Sequence, residues 1–251
     1  MQNNRTTISI LGCGWYGLAL AKVLLANDYH VKGSTTTPEK IILLQNEGIQ
    51  PYLMNFENSS EKSNDNFFDT DLLFICIPPK RSSGEQASFP VKIEKIANMA
   101  ANNKVKDIVF ISSTSVYGDH NKNITEIDQP QPDTASGLSV LAAENLLLKN
   151  KLFTTTIIRF AGLVGPGRDP GRFFAGKQNV PNGLAPVNLI HLNDCIQMSL
   201  QIVQKKAFGQ IYNACCPDHP TKQEFYTKAA SRSSLPLPSF LNEIKTWKII
   251  G

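Results

Sequence analysis

Residues 10–20 read ILGCGWYGLAL, an apolar run broken by three glycines and resumed with helical spacing. TISIL (7–11) predicts a strand and Trp15 to Leu25 predicts a helix. Gly12-Cys13-Gly14-Trp15-Tyr16-Gly17 is then G-x-G-x-x-G at the turn between them. In that context the first glycine permits the tight turn, the second lets a pyrophosphate approach the backbone, and the third lets helix and strand pack closely. The start of the helix adds free N–H groups and a partial positive charge for the anion. Residues 12–17 are accordingly candidate dinucleotide contacts, with Cys13 required only to be small. The alternative is a merely structural turn.

The remainder fits such a loop. YHVKGS (29–34), PYLM (51–54), DLLFICI (71–77), VKDIVFIS (105–112) and TTTIIRF (154–160) predict strands. Between them, helices are predicted from Thr37-Pro38 to Asn46, from Phe89 to Ala101 and from Ala135 to Leu148. Near-continuous apolar runs such as DLLFICI belong to strands buried on both faces of a parallel sheet. The expected fold is a doubly wound α/β parallel sheet of the NAD(P)-binding Rossmann type. Gly and Pro crowd residues 162–186, followed by a short strand over 187–192, a helix capped by Asp194 and a strand at 209–214. One domain over 1–251 is expected, with 1–161 mainly the dinucleotide-binding core and 162–251 mainly a small substrate-side lobe. The ending KTWKIIG offers no helix to close that lobe, which points to a further tail.

Bulk properties narrow the classes. A net charge of +4 without a basic stripe argues against nucleic acid. No apolar stretch approaches the roughly 20 residues of a membrane span. Five cysteines, an odd number, behind the polar start MQNNRTT suggest a reduced, cytoplasmic protein. Cys215-Cys216 with His219 lacks structural-zinc spacing, so no metal site is expected.

The end of the second strand bears on which dinucleotide is held. NAD sites usually place Asp or Glu there to accept the ribose hydroxyls. Here the strand runs into Gly33-Ser34-Thr35-Thr36-Thr37-Pro38-Glu39-Lys40, with Asp28 before the strand and Glu39 inside the next predicted helix. Ser34, Thr35 and Thr36, with Lys40 nearby, would suit a 2′-phosphate and favour NADP, with NAD as the alternative. They would serve equally to turn the chain.

FISSTSVYGD (110–119), joined to the glycine loop, resembles the extended short-chain dehydrogenase/reductase superfamily in its NAD-dependent epimerase/dehydratase branch. RFAGLVGPGR (159–168), PVNLIHLND (186–194) and GQIYNACCPD (209–218) resemble it too, in the right order over most of the chain. GCGWYG, GSTTTPEK and Ile77-Pro78-Pro79 look like an atypical bacterial subgroup whose members are often labelled nucleoside-diphosphate-sugar epimerases. The resemblance implies a nucleotide sugar as the small-molecule substrate and places Pro78 and Pro79 against the cofactor. It also implies that Ser113, four residues before the tyrosine of VYG, hydrogen-bonds the substrate's reacting oxygen.

One part of the family pattern is missing. Its acid/base tyrosine stands four residues before a lysine on the next helix, and alignment on Ala142-Ala143-Glu144 puts Ser136 and Val140 at those places. No tyrosine in the chain has a lysine four residues later. An isolated serine hydroxyl is too weak an acid to replace the phenol. Tyr117, Lys80, Arg81 and His191 are substitute candidates, His191 also lying beside the predicted cleft as a substrate contact. Arg168 is a candidate for substrate phosphate, because a guanidinium matches phosphate bidentately. Two readings stay open: an oxidoreductase or epimerase with a modified mechanism, or a cofactor-binding protein without turnover.

Overall fold

The computed structural model describes residues 5–56, 65–79 and 87–251. The repeating strand–helix pattern builds β1 (Thr7–Leu11), α1 (Trp15–Ala26), β2 (His30–Thr35), α2 (Lys40–Asn46), β3 (Gln50–Leu53), α3 (Asp65–Phe68) and β4 (Leu72–Ile75). It continues with α4 (Phe89–Asn102), β5 (Asp107–Ser113), β6 (Lys122–Ile124), α5 (Ala135–Lys149) and β7 (Thr154–Phe160). After these come β8 (Gly162–Val164), β9 (Leu189–His191), α6 (Leu192–Gln204), β10 (Ile211–Ala214), α7 (Lys222–Arg232) and β11 (Lys248–Ile250).

The main sheet has seven strands in the order β3-β2-β1-β4-β5-β7-β10, and every pairing within it is parallel. The order reverses between β1 and β4. That reversal opens a crevice at the carboxyl ends of the strands, where ligands bind in such sheets. Alternate side chains divide the core into two layers. Ile8, Ile10, Phe74, Val109 and Ile158 pack beneath α1 and α6. Leu73, Ile75, Ile108, Phe110 and Ile157 pack beneath α4 and α5. The expected doubly wound fold is the one observed.

Several boundaries differ from expectation. Thr37-Pro38 does not open α2. Their carbonyls accept from Lys40 and Ile41 N–H at 3.1 and 3.0 Å in a tighter turn, and the α-helix begins at Lys40. The hydroxyl that organises this turn is that of Thr35, which accepts from Thr37 N–H at 3.1 Å. Asp194 does not cap α6 either. The helix starts two residues earlier, and His191 Nδ1 accepts from Asn193 N–H at 3.2 Å.

Beyond residue 161 the chain is not all lobe. β10 completes the main sheet and α6 packs on α1. The remaining elements, β8 with β9, β6 with β11 and α7, form the smaller part. The KII of KTWKIIG is β11, parallel to β6, with Asn121 N–H donating to Trp247 O at 2.8 Å just ahead of it. Among the described residues no helix is long and apolar enough to cross a membrane.

Candidate functional site

The glycine loop leaves the carboxyl end of β1. Gly12 has φ +99°, a conformation suited to glycine. Its N–H donates to Ser34 Oγ at 2.9 Å, and Cys13 N–H donates to Ser34 O at 2.8 Å. A β-carbon on Gly17 would stand 2.3 Å from Gly12 O, so the third glycine lets α1 close onto the turn. Gly14 differs. Among the described residues, a β-carbon there would meet no atom within 4 Å. Past Gly14, the N–H groups of Trp15, Tyr16 and Gly17 have no partner among the described residues, and the first bond of this turn runs from Leu18 N–H to Gly14 O at 3.0 Å. Open space in front of unpartnered helix N–H groups fits a dinucleotide's phosphates.

The side chains of the loop point elsewhere. Tyr16 lies in the core, edge-on to Phe160 at 5.1 Å, with its hydroxyl sharing a 2.6 Å hydrogen bond with Ser199. Cys13 is buried against Gly33, and burial pushes its thiol up to about 12. Residues 13 and 16 thus offer a ligand only their backbone.

At the end of β2 the three hydroxyls separate. Ser34 is buried and braces Gly12, and Thr35 is buried and holds the following turn. Of the three hydroxyl residues expected beside the ribose, Ser34 and Thr35 thus lie buried with their oxygens accepting from backbone N–H groups. Thr36 and Lys40 are exposed. After β4, Pro78 is exposed and Pro79 buried, while Ile77 would be 2.7 Å from a β-carbon at Gly12. This segment therefore forms one wall of the glycine loop. Lys80 and Arg81 lie outside the described residues.

Ser113 ends β5, and its Oγ accepts from Ser115 N–H at 3.1 Å. Accepting leaves the hydroxyl proton free to be donated. The first turn of α5 packs directly beside it, because a β-carbon at Gly137 would lie 2.3 Å from Ser115 O. Thr134 Oγ1 caps this helix, accepting from Gly137 N–H at 3.1 Å. Ser136 is half-buried in that turn, and Val140, 5% exposed, belongs to the apolar layer under α4 and α5.

Tyr117 sits differently from what an acid/base role needs. The ring is 1% exposed, and its hydroxyl meets Arg159 Nη1, Asn213 Oδ1 at 3.2 Å and Thr125 O at 3.2 Å. Burial raises its pKa, against the lowering effect of Arg159, so the phenol is a poor base near neutrality. Arg159 in turn forms a fork with Glu144, Nε to Oε1 at 3.0 Å and Nη2 to Oε2 at 2.6 Å. Ser112 Oγ donates to Glu144 Oε1. Sequence reasoning did not find this network. Its members stand on β5, β7, β10, α5 and the 117–125 segment, and no spacing along the chain links them.

The loop after β7 reaches back to the glycine loop. Trp15 Nε1 donates to Pro166 O at 2.6 Å, and the Arg168 guanidinium lies 4.4 Å from the centroid of the Trp15 ring. His191 is exposed beside Gly165, and its Nδ1 accepts from Asn193 N–H. The structure thus brings Trp15, Arg168 and His191 to one side of the crevice, with Ser113 at the carboxyl end of β5.

Comparison with known proteins agrees with this geometry. A family model described as NAD(P)H-binding matches residues 12–187. The chain is 36% identical over 244 residues to Protein YeeZ of Escherichia coli strain K12, covering 96% of this chain and 89% of that protein. Among solved structures, UDP-glucuronic acid 4-epimerase from Bacillus cereus in complex with NAD has a TM-score of 0.80 at 18% identity, covering 98% of this chain and 89% of that one. UDP-glucose 4-epimerase from Thermotoga maritima with UDP-glucose has a TM-score of 0.76 at 14% identity, covering 98% and 90%. The glycine loop, the sheet order and these matches agree: the chain belongs to the NAD(P)H-binding family, built on the fold of NAD-dependent epimerases and dehydratases.

Proposed function

We propose that this protein is an NADP-dependent oxidoreductase or epimerase acting on a nucleotide-linked sugar, with Ser113 orienting the substrate's reacting oxygen. The observation that carries this reading is the position of Ser113, at the end of β5 with a hydroxyl proton that its own hydrogen bond leaves available. The substrate class rests on the structural neighbours that bind UDP-sugars.

Bound nicotinamide supplies hydride chemistry. The chain's own residues bind and orient: Gly14 leaves room for the phosphates, helix α1 faces them with free N–H groups, and Ser113 directs the substrate oxygen. Ser136 and Val140 supply no group that exchanges a proton near neutral pH, so the site works chiefly by placement. The test is a panel of UDP-, ADP- and GDP-sugars followed by nicotinamide absorbance and product analysis. At least one sugar should turn over, and Ser113→Ala should cut turnover about 100-fold, the scale for one oriented donor. If every panel member is inert while the cofactor still binds, the enzymatic reading falls.

A second reading, cofactor binding without turnover, is favoured by the locked Tyr117 hydroxyl and the burial of Val140 in an apolar layer. The same panel decides between the two.

The preference for NADP rests on β2 ending without a carboxylate while Thr36 and Lys40 stand exposed beside it. NADP should bind more tightly than NAD at low salt, and the margin should shrink as salt screens the additional phosphate. Equal or reversed affinities by calorimetry at low salt would contradict this.

A further inference from the structure

We infer that Arg168 clamps the diphosphate of the bound dinucleotide, closing the cofactor site from the loop that follows β7. This rests on the glycine loop holding a dinucleotide, and it moves Arg168 from the substrate, where the sequence placed it, to the cofactor.

Four observations meet at this side chain. First, the guanidinium is stacked 4.4 Å from the centroid of the Trp15 ring, and Trp15 is the residue whose own N–H opens helix α1. Stacking uses the face of a guanidinium and leaves the N–H groups on its edge free to bind an anion in two places. Second, among the described residues no carboxylate lies within ion-pair distance of Arg168 and no acceptor takes its guanidinium N–H groups. The adjacent acid, Asp169, is occupied: its Oδ1 accepts from Gly171 N–H at 2.8 Å, and hydrogen bonding to Ser233 and Gly171 holds its carboxyl below the usual range.

Third, the loop is fixed before any ligand arrives. Arg168 N–H donates to Gly165 O at 2.8 Å and Gly165 N–H donates to Arg168 O at 3.3 Å, closing a tight turn. Gly165 and Gly167 make the turn possible with φ +147° and +76°. Fourth, Trp15 Nε1 ties this turn to the glycine loop through Pro166 O at 2.6 Å, so the two loops form one rim. A cation held in a pre-set turn loses little freedom on binding, which favours contact with a doubly charged diphosphate.

The consequence is a site built from both halves of the chain. The glycine loop contributes neutral N–H groups, and the loop after β7 contributes the positive charge. The sequence shows no other arginine or lysine between residues 6 and 21, so the glycine loop brings no cation of its own.

The test is calorimetric titration of wild type, Arg168→Ala and Arg168→Gln with NADPH, NADH and ADP-ribose, and separately with UDP. Gln keeps a planar group on the Trp15 ring and removes the charge. Both variants should bind all three diphosphate probes at least tenfold more weakly, with a shallower dependence on salt. UDP binding should be unchanged, and thermal melting should show both variants folded. Unchanged affinity for the three probes would overturn the clamp. So would recovery by Arg168→Gln, which would leave stacking as the whole role, or a loss confined to UDP, which would return Arg168 to the substrate. Wild type binding none of the three would overturn the cofactor reading beneath the clamp.

Discussion

Gly14→Val is expected to weaken NAD(P) binding by more than tenfold, about 1.4 kcal/mol or more, in a protein that remains folded. The expectation rests on a contrast within one loop. At Gly14 the backbone is extended, φ −82° and ψ −154°, so a β-branched residue suits it, and among the described residues no atom comes within 4 Å of the added β-carbon. The new methyls would occupy only the space in front of the free N–H groups of α1. At Gly17 the added β-carbon would stand 2.3 Å from Gly12 O. Gly17→Val should therefore disrupt the loop itself and lower the melting temperature as well as affinity. Calorimetry with NADPH, beside thermal melting of both variants, separates ligand space from packing. A folded Gly14→Val protein with unchanged affinity would mean that the phosphates lie elsewhere.

That contrast also marks what the sequence could and could not reveal. Glycine spacing between a strand and a helix is local, so the turn, its helix and the close approach at Gly17 were legible in residues 10–20. So were the strands of the sheet, because Leu72 to Ile75 and Ile108 to Phe110 must be apolar on both faces to lie between two helical layers. The cap of α7 was legible in principle: Thr221 and Glu224 stand at capping-box spacing and form both of its bonds. Apolar spacing alone gives no helix over 222–232, where the observed one is largely polar. Other features leave no local trace. β6 pairs with β11 across more than a hundred residues, and three-residue strands have too few positions to show a period. His191 as the cap of α6 was hidden behind Asp194, a better capping residue by propensity, because strand β9 fixes where the helix can begin.

The candidate site divides along the same line. The backbone of the glycine loop follows from sequence, whereas the inward turn of Ser34 and Thr35 depends on which N–H groups the fold brings to them. For Tyr117 the VYG motif fixes the position on the chain, yet its partner Arg159 is set by the pairing of β5 with β7, where Ser112 lies opposite Arg159. Motif and chemistry separate at that residue.

Glu144→Ala should destabilise the protein by about 3–5 kcal/mol, the largest stability effect expected of any single change in the site region. Arg159 and Glu144 have side-chain exposures of 3% and 0%, so removing the carboxylate strands a guanidinium charge in the core. Arg159 is held charged by its partners: burial works against the charge, and the hydrogen bonds and charge of Glu144 outweigh it. Its remaining neighbours, the Tyr117 hydroxyl and ring, cannot neutralise it. Replacing both members with apolar side chains of similar size, Glu144→Leu with Arg159→Met, should recover most of the loss, since the pair's attraction largely offsets the cost of taking two charges out of water. Urea unfolding of the two single variants and the double variant measures this directly. A Glu144→Ala loss under about 1 kcal/mol would mean that water reaches Arg159 once its partner is gone. The double variant carries a further expectation for the site. Glu144 anchors α5 over the seam of β5 and β7 through Ser112 and Arg159, one residue from Ser113. Apolar replacements restore packing without those directional bonds, so the double variant should keep its cofactor affinity, which depends on the β1 loop, while any turnover that depends on Ser113 falls.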